Sequence, residues 1–407
     1  MNKRGETINS GEAIRNKGSF SQLISNSIKQ NIRQYTMIIA LLSIWIIFAL
    51  LTKGIFLTSR NLSNLFLQMV TIGFLACGMV LVIVATHIDL SVGSVAGTLG
   101  AVSAVLMTKA GLNPLLTIVL TLGCGILVGC WHGFWISYRG VPAFIVTLAS
   151  MTAFKGITLA ITKGATIGEF PLAFKALGQG YVPKLFFKNA NFNDTSIIIG
   201  VIFIILFIII DLKKRNARIK HELEVLSVPL QTLRIVLISV VIAIPCMVMI
   251  SYRGIPYAVL LLIGVVVIFT FMTNKTKFGR YVYAIGGNKQ AARLSGVNIK
   301  RINFFIFVLM GLLTALASIV FTGRLNAATT SAGNLFELDA IAACYIGGTS
   351  STGGVGTIFG AIIGALVMAS LDNGMSLMNV EIMYQYIIKG AILLFAVWID
   401  FVTNKKA

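Results

Sequence analysis

KTKFGRYVYAIGGNKQAARLSGVNIKRIN, the segment from Lys275 to Asn303, separates two long apolar stretches of this chain. Each stretch is about as long as the roughly 20 residues that cross the 30 Å hydrocarbon core of a bilayer. The segment between them is basic and rich in glycine, and it therefore lies outside the bilayer, where charged side chains stay hydrated. A chain that is otherwise almost all apolar has little reason to keep such a segment unless a partner binds there.

The composition extends this conclusion to the whole chain. With 57% hydrophobic and 11% charged residues among 407, too few polar side chains remain to cover a water-soluble globule. The apolar segments do not alternate as barrel strands would. We therefore predict an all-α integral membrane protein with about 10–12 transmembrane helices, some broken or re-entrant. The predicted helices are 35–52, 64–86, 91–109, 113–138, 142–162, 195–211, 232–250, 255–273, 303–323, 338–350, 355–373 and 383–401.

The net charge of +20 is best explained by membrane topology rather than by nucleic acid. Lysine and arginine accumulate in cytosolic loops, and most of the basic residues fall on one side when the N-terminus is inside. The polar N-terminus has no apolar core, so it is not a cleaved signal peptide. The expected organisation is a cytosolic tail 1–34, a membrane domain 35–401 and a cytosolic tail 402–407. Within the membrane domain, 275–302 is a cytosolic loop and 164–194 an outer loop that could form a small cap.

A repeated motif and a charged segment bear on how the membrane domain is organised. ISYRGVPA, Ile136 to Ala143, recurs as ISYRGIPY, Ile250 to Tyr257, each time just before an apolar helix. A turn used twice explains this, because proline suits a helix start, and an internal inverted repeat is the alternative. Residues 212–231 are charged and predict a helix along the cytosolic surface.

Two glycine-rich places interrupt apolar runs. In THIDLSVGSVAG, Thr86 to Gly97, a charged Asp89 must lie at a break, near an end or in a cavity. With Ser91 it suits helix capping, and contact with a substrate is the alternative. In the second place, from Cys344 to Met368, glycines such as Gly356, Gly360 and Gly364 predict close helix packing around a broken helix.

The sequence offers no catalytic constellation. A P-loop requires GxxxxGK[ST], and no Gly-Lys pair occurs in the chain. The five cysteines fall in predicted spans, and the three histidines are isolated, so we predict neither a metal site nor a disulfide framework. The chain is not expected to be an enzyme or to bind a cofactor of its own.

Several blocks of this sequence resemble those of a known family. FGRYVYAIGGNKQAARLSGVNIKRINFFIFVLMGLLTALASIV, from Phe278, resembles the cytosolic loop and following helix of permease subunits of ATP-binding-cassette importers for monosaccharides. HIDLSVGS at His87, VPAFIVTLA at Val141, ELDAIAACYIGGTSSTGGVGT at Glu337 and DNGMSL at Asp372 match further blocks in the same order. Family members commonly have Asn where this chain has His132, which leaves a substrate role there in doubt. The additional segment 211–274 makes the chain similar in length to the xylose or multiple-sugar branch.

The resemblance implies three partners and a location. It implies a second permease copy in a homodimer, a cytosolic ATPase subunit that binds ATP and Mg²⁺, and an extracytoplasmic sugar-binding protein, all at the cell membrane, with no nucleic acid. A short coupling helix would sit in a cleft of the ATPase. Small residues allow close approach, Gly287 and Asn288 supply a turn and an N-cap, and Arg280, Lys289 and Arg293 could pair with carboxylates. The expected coupling residues are Arg280, Gly286, Gly287, Asn288, Lys289, Ala291, Ala292, Arg293, Ser295 and Gly296.

A neutral sugar would be recognised by hydroxyl, amide and aromatic groups rather than by a charged site. The candidate path residues are Asp89, Ser91, Thr349, Asn373 and Gln385. Lys155 and Lys389 fall within predicted helices, where each could reach an interface, pair with a helix end or meet the substrate. The competing function is an ion-coupled secondary transporter, which would need membrane-buried carboxylates in the path.

Overall fold

A computed structural model describes residues 32–187, 192–223 and 225–405. Most of the predicted tail 1–34 and the end of the tail 402–407 lie outside these residues. Fifteen α-helices, a 3-10 turn at Ile55–Leu57, a π-helical turn at Phe134–Tyr138 and one two-stranded sheet occur in the described chain. In the first half, the helices are α1 Ile32–Leu51, α2 Ser59–Val84, α3 Val92–Thr108, α4 Pro114–Gly133, α5 Ala143–Thr162, α6 Leu172–Gln179 and α7 Asp194–Lys220. In the second half, they are α8 Val228–Ile250, α9 Tyr257–Lys275, α10 Lys277–Gly287, α11 Lys289–Leu294, α12 Ile299–Leu325, α13 Phe336–Ile346, α14 Ile358–Leu377 and α15 Ile382–Lys405.

The predicted all-α membrane fold is confirmed. Nine helices of the described chain are long and apolar enough to cross a membrane, and two shorter apolar helices accompany them. The sheet consists only of β1, Ile167–Gly168, paired antiparallel with β2, Ala327–Ala328. The protein is thus a multi-pass membrane protein.

Helix α2 forms the centre of the bundle, since almost all of it is buried, whereas α15 lies at the periphery. Close packing depends on glycine, as the contact of α4 with α12 shows. A Cβ added to Gly125 would stand 2.5 Å from the carbonyl oxygen of Gly311, and one on Gly129 would overlap the backbone at Phe307. Small residues let helix backbones approach where lipid supplies no hydrophobic force between helices.

The broken helix predicted at the second glycine-rich place is present. Helix α13 has 11 residues, so it is only about 16 Å long and cannot cross the bilayer. A turn leads from α13 into α14, with Gly348, Gly353 and Gly354 in the left-handed region. Gly360 and Gly364 then pack directly against the backbones of Gly347 and Ala343, which confirms the predicted close approach.

The repeated ISYRG turn shares two features at both positions, although the first copy begins in a π-helical turn, Phe134–Tyr138, and the second at the end of the regular helix α8. Gly140 and Gly254 have positive φ values of 73° and 104°, and Pro142 and Pro256 immediately precede α5 and α9.

The second turn packs near α7, where the amide of Ile255 donates to Ser196 Oγ at 2.9 Å. Next to it, the Tyr257 amide donates to the Gly180 carbonyl at 3.0 Å, and Gly178 packs against Arg324 at the end of α12. The start of α5 lies instead near the start of α12, because Thr147 Oγ1 is 3.5 Å from the carbonyl of Ile88, next to the His87–Asn303 contact. The local turn is therefore used twice at opposite ends, and whether it marks an inverted repeat stays a prediction.

Two segments between the long helices, 212–231 and 164–194, have more structure than the sequence predicts or a different one. The separate surface helix predicted at 212–231 is wrong, because α7 continues unbroken to Lys220 and α8 begins at Val228. Asp211 ties the pair together by accepting from the Gln231 amide and pairing with Arg234 at 3.5 Å. The outer loop 164–194 contains the short helix α6, whose Phe174 is fully buried.

Candidate functional site

The site begins with a hairpin of two short helices, α10 and α11, at the end of α9. Asn288 ends α10 and starts α11, because its Oδ1 accepts from the amide of Ala291 at 2.9 Å. Asparagine is among the best N-cap residues, and it satisfies a donor that the first turn leaves free. The predicted turn and N-cap are confirmed.

A second turn joins α11 to α12. Gly296 adopts a φ of 79°, and its amide donates to the Arg293 carbonyl at 3.0 Å. Ala292 and Val297 pack with Ile285 in a small buried cluster beneath this turn. The cluster fixes α11 against the membrane bundle, so that a force on α11 reaches the start of α12.

The inner face of the hairpin rests on the end of α2 and on the turn before α14. A Cβ at Gly286 would overlap the carbonyl oxygen of Val84 and stand 2.5 Å from the amide of Gly354. That amide already donates to the Val84 carbonyl at 3.0 Å. The hydroxyl of Tyr283 donates to the Gly356 carbonyl at 2.7 Å. The hairpin is therefore joined by direct backbone contacts to two separate parts of the bundle.

A histidine near the hairpin joins the segment before α3 to the start of α12. The Nε2 atom of His87 lies 2.9 Å from Nδ2 of Asn303 in the first turn of α12. Burial, together with the nearby charge of Lys289, lowers the pKa of His87 from 6.5 to about 4. The imidazole is thus neutral near pH 7, and its Nε2 atom accepts from the Asn303 Nδ2 amide when the ring proton is on Nδ1.

The predicted coupling residues divide between two faces of this hairpin. Ala292 is buried and Gly286 is half-buried, so these two support the hairpin from inside. The other eight residues are exposed, and they are Arg280, Gly287, Asn288, Lys289, Ala291, Arg293, Ser295 and Gly296. None of the three basic residues among them takes part in the ion pairs found in the described chain.

One apolar side chain was missed by the sequence interpretation. Leu294, at the end of α11, is 89% exposed and stands between Arg293 and Ser295. It lies on the same exposed stretch as the basic coupling residues, so it is available for contact with a partner. The signal in the sequence is a leucine that follows a short segment, Asn288 to Arg293, whose residues are all small or polar.

The predicted path residues are buried or half-buried, and two of them, Asp89 and Gln385, form hydrogen bonds to residues close to them in the chain. Asp89 caps the break before α3, where its Oδ1 accepts from the amide of Ser91 at 2.9 Å and from its hydroxyl at 2.6 Å. Gln385 donates to the carbonyl of Val380 on its own chain segment at 2.8 Å. The capping alternative for Asp89 thus matches the geometry.

Thr349 and Asn373 lie in two further, separate places. Thr349 is fully buried in the turn after α13, beside Gly356. Asn373 Oδ1 accepts from Asn61 Nδ2 at 2.8 Å, linking α14 to α2. The five candidates are not gathered around one opening, and their contact with a substrate stays a prediction.

His132, the departure from the family pattern, is buried near the end of α4. Its Nε2 atom has no hydrogen-bond partner among the described residues. The neighbouring Gly133 packs against Phe304 of α12. His132 therefore points into the protein.

Comparison with known proteins places this architecture in a family. Residues 61–397 match the family described as branched-chain amino acid transport system / permease component. The chain belongs to this family of membrane permeases. No solved structure matches the chain.

The relatives span the same length as the chain. The xylose transport system permease protein XylH of Escherichia coli K12 is 44% identical over 395 residues, which covers 97% of each chain. The XylH protein of Haemophilus influenzae is 43% identical over 376 residues, covering 92% of this chain and 98% of the relative. The ribose import permease protein RbsC of Bacillus subtilis is 33% identical over 347 residues, covering 85% and 86%.

Proposed function

We propose that this chain is the membrane permease subunit of an ATP-binding-cassette importer for a monosaccharide, xylose or a closely related sugar. The likeness to XylH over 97% of both chains supports this substrate class. The chain contains no P-loop sequence, so a separate ATPase subunit would bind ATP and Mg²⁺. Two copies of the chain would enclose the path, and an extracytoplasmic binding protein would deliver the sugar.

The observation that carries the proposal is the construction of the α10–α11 hairpin. Its outer face presents exposed basic residues and Leu294, while its inner face contacts the end of α2 and the turn before α14 through Gly286. A partner that moved α11 would therefore move the ends of two membrane helices. We assign this hairpin to the cytosolic side, with both termini in the cytosol, since the basic residues favour that side.

The mechanism is alternating access driven by the ATPase. Closure of two ATPase subunits would bring the two α11 helices together and change the packing of α2, α12 and α14. Gly286 contacts backbone atoms of Val84 and Gly354 rather than flexible side chains. A movement of α10 would therefore also move the end of α2 and the turn before α14. The chain itself would supply the path and the lever, and no covalent chemistry.

An ion-coupled secondary transporter is the second candidate, because carboxylates are buried in the membrane bundle. Asp339 is 2% exposed and Glu337 is 5% exposed. Asp339, however, pairs with Lys389, and Asp89 is used in capping. Import that continues after ATP depletion but stops with an ionophore would favour this candidate.

The experiment compares two exposed N-cap asparagines. Asn288→Arg should abolish sugar uptake and co-purification of the ATPase subunit, because it places a long charged side chain where the partner approaches. Asn113→Arg is the control, since Asn113 caps α4 in the same way, accepting from Leu116 at 2.8 Å at the other end of the bundle. Unchanged uptake by Asn288→Arg, or equal losses in both variants, would contradict the coupling assignment.

A further inference from the structure

Two lysines inside the predicted spans have opposite environments. Lys389 of α15 is 12% exposed at its side chain and lies 2.9 Å from carboxylate oxygens of both Asp339 and Asp372. Lys155 of α5 is exposed, and within the described chain it forms no ion pair or hydrogen bond. Lys389 is thus held in ion pairs inside the protomer, whereas Lys155 forms none with the described residues, although the buried carboxyl of Glu337 lies near enough to be affected by its charge.

The position of Lys155 along α5 makes contact with lipid unfavourable. It lies 12 residues after Ala143 and seven before Thr162, or about 18 Å and 10 Å from the two ends. A lysine near the bilayer centre costs about 2.5–3.5 kcal/mol on insertion scales. Helical side chains point toward the N-terminus of their helix, so Lys155 is directed away from the nearer end. This face of α5 therefore borders water or protein.

Non-helical backbone lies at the same depth, on the neighbouring side of α3. Thr98 of α3 bonds both to the Phe154 carbonyl at 2.9 Å and to the Thr158 hydroxyl at 2.8 Å. One residue earlier, Gly97 packs directly on the carbonyl of Ala332. The segment between β2 and α13 therefore reaches the level of Lys155. Such backbone is tolerated in a membrane only where protein buries it or a water-filled cavity borders it.

This segment exposes polar groups. Thr330, Ser331 and Asn334 are all exposed, and Asn334 Nδ2 donates to the hydroxyl of Tyr386 on α15 at 3.0 Å. Tyr386 is itself 48% exposed. Hydroxyl groups, an amide and an aromatic ring are the groups that bind sugars, and here Asn334 and Tyr386 are in contact on a segment that also exposes the hydroxyls of Thr330 and Ser331.

We propose that the sugar crosses the membrane along a polar strip formed by Lys155, Thr330, Ser331, Asn334 and Tyr386. The proposal rests on the proposed function, whose second permease copy would close the path by presenting the same strip from the other side. The strip replaces the buried candidates as the surface that touches the sugar. Lys155 donates to sugar hydroxyls, and Tyr386 supplies a ring face and a hydroxyl.

Thiol labelling of the assembled importer tests where the strip faces. In a background in which the five native cysteines are replaced by serine or alanine, Asn334→Cys should react with a membrane-impermeant methanethiosulfonate. Ile387→Cys is the matched control, because Ile387 is 67% exposed beside Tyr386 but apolar, and it should react at least tenfold more slowly. Equal slow labelling of both positions would mean that the strip faces lipid and would overturn the proposal.

A transport measurement separates contact with sugar from a structural role. Tyr386→Phe and Lys155→Met should each reduce sugar moved per ATP hydrolysed by about 2- to 12-fold, the effect of one lost hydrogen bond, with the ATPase rate retained. Leu148→Met on α5 should leave the ratio unchanged. Unchanged ratios in both strip variants would overturn the proposal. If the unmodified complex hydrolyses ATP but moves no sugar, the proposed function is contradicted. In that case the difference in labelling between Asn334→Cys and Ile387→Cys would still show whether the strip faces water.

Discussion

Gly286 of α10 lies directly against the carbonyl oxygen of Val84 at the end of α2, with no room for a side chain between them. The neighbouring Gly287 has nothing within 4 Å of the position that a Cβ would occupy. Two adjacent glycines in the same helix therefore have different roles, one in packing and one on the exposed face.

The first prediction follows from this pair. Gly286→Ala should displace the hairpin from α2 and the turn before α14, because the obstructing atoms belong to backbone and cannot rotate away. We expect at least a tenfold loss of sugar transport with reduced binding of the ATPase subunit. Gly287→Ala is the control for folding, because its methyl group would meet no atom within 4 Å, and it should be neutral or stabilise α10 by up to about 1 kcal/mol. Equal losses of thermal stability in the two variants would contradict the packing role of Gly286.

The second prediction concerns Leu294. If it fills a pocket on the ATPase subunit, Leu294→Ala should weaken binding of that subunit by about 2 kcal/mol, or roughly 30-fold, while the permease remains equally stable. Leu172, which is 81% exposed at the start of α6, provides the matched control at the other end of the bundle. Titration of purified ATPase onto each variant in nanodiscs measures the affinity. The same affinity for both variants would exclude Leu294 as an anchor.

The third prediction uses the lowered pKa of His87. A histidine whose pKa falls from 6.5 to about 4 on folding stabilises the fold above pH 6.5, and this contribution is lost as the pH falls toward 4. The full contribution is of the order of 3 kcal/mol. The thermal midpoint of the permease should therefore decline between pH 6.5 and 4.

Variants identify the source of that decline. His87→Gln keeps a polar partner for Asn303 but does not titrate, so its midpoint should change less with pH than that of the wild type. His221→Gln, at the exposed end of α7, should retain the wild-type profile. Parallel profiles for His87→Gln and the wild type would show that another group controls the acid response.

Local features of the fold and the site could be predicted from the sequence. Asn288 caps α11 and Asp89 caps the break before α3 because their partners lie two or three residues away. The apolar runs defined nearly every helix because a bilayer sets their length. Their mutual arrangement could not be predicted in this way, since α2 and α15 are both apolar although only α2 is buried.

The features that could not be predicted from the sequence depend on contacts between distant parts of the chain. His87 and Asn303 are 216 residues apart, and each has an ordinary polar environment in the sequence. The apolar pattern does not predict the extension of α7 to Lys220, because the apolar run ends at Asp211, yet Asp211 is paired with Gln231 and Arg234 of α8 and the helix continues. Lys155 and Lys389 looked alike in sequence, and only the fold separates them.

The last prediction concerns Lys389, which joins three helices. Its ammonium group contacts Asp339 of α13 and Asp372 of α14, so Lys389→Met would leave two carboxylates facing each other without a cation. Removing one partner of a buried ion pair typically costs about 3–5 kcal/mol. We expect a clear fall in the thermal midpoint, measured in detergent, and Lys109→Met at the exposed end of α3 should have no effect.

A double substitution tests the cause of that fall. Lys389→Met combined with Asp339→Asn removes the charge of the more buried carboxylate, so it should recover part of the stability lost in the single variant. Recovery is expected because a neutral amide requires less solvation than a buried carboxylate. If the double variant is less stable than Lys389→Met, then packing of the lysine chain rather than its charge holds α13 against α15.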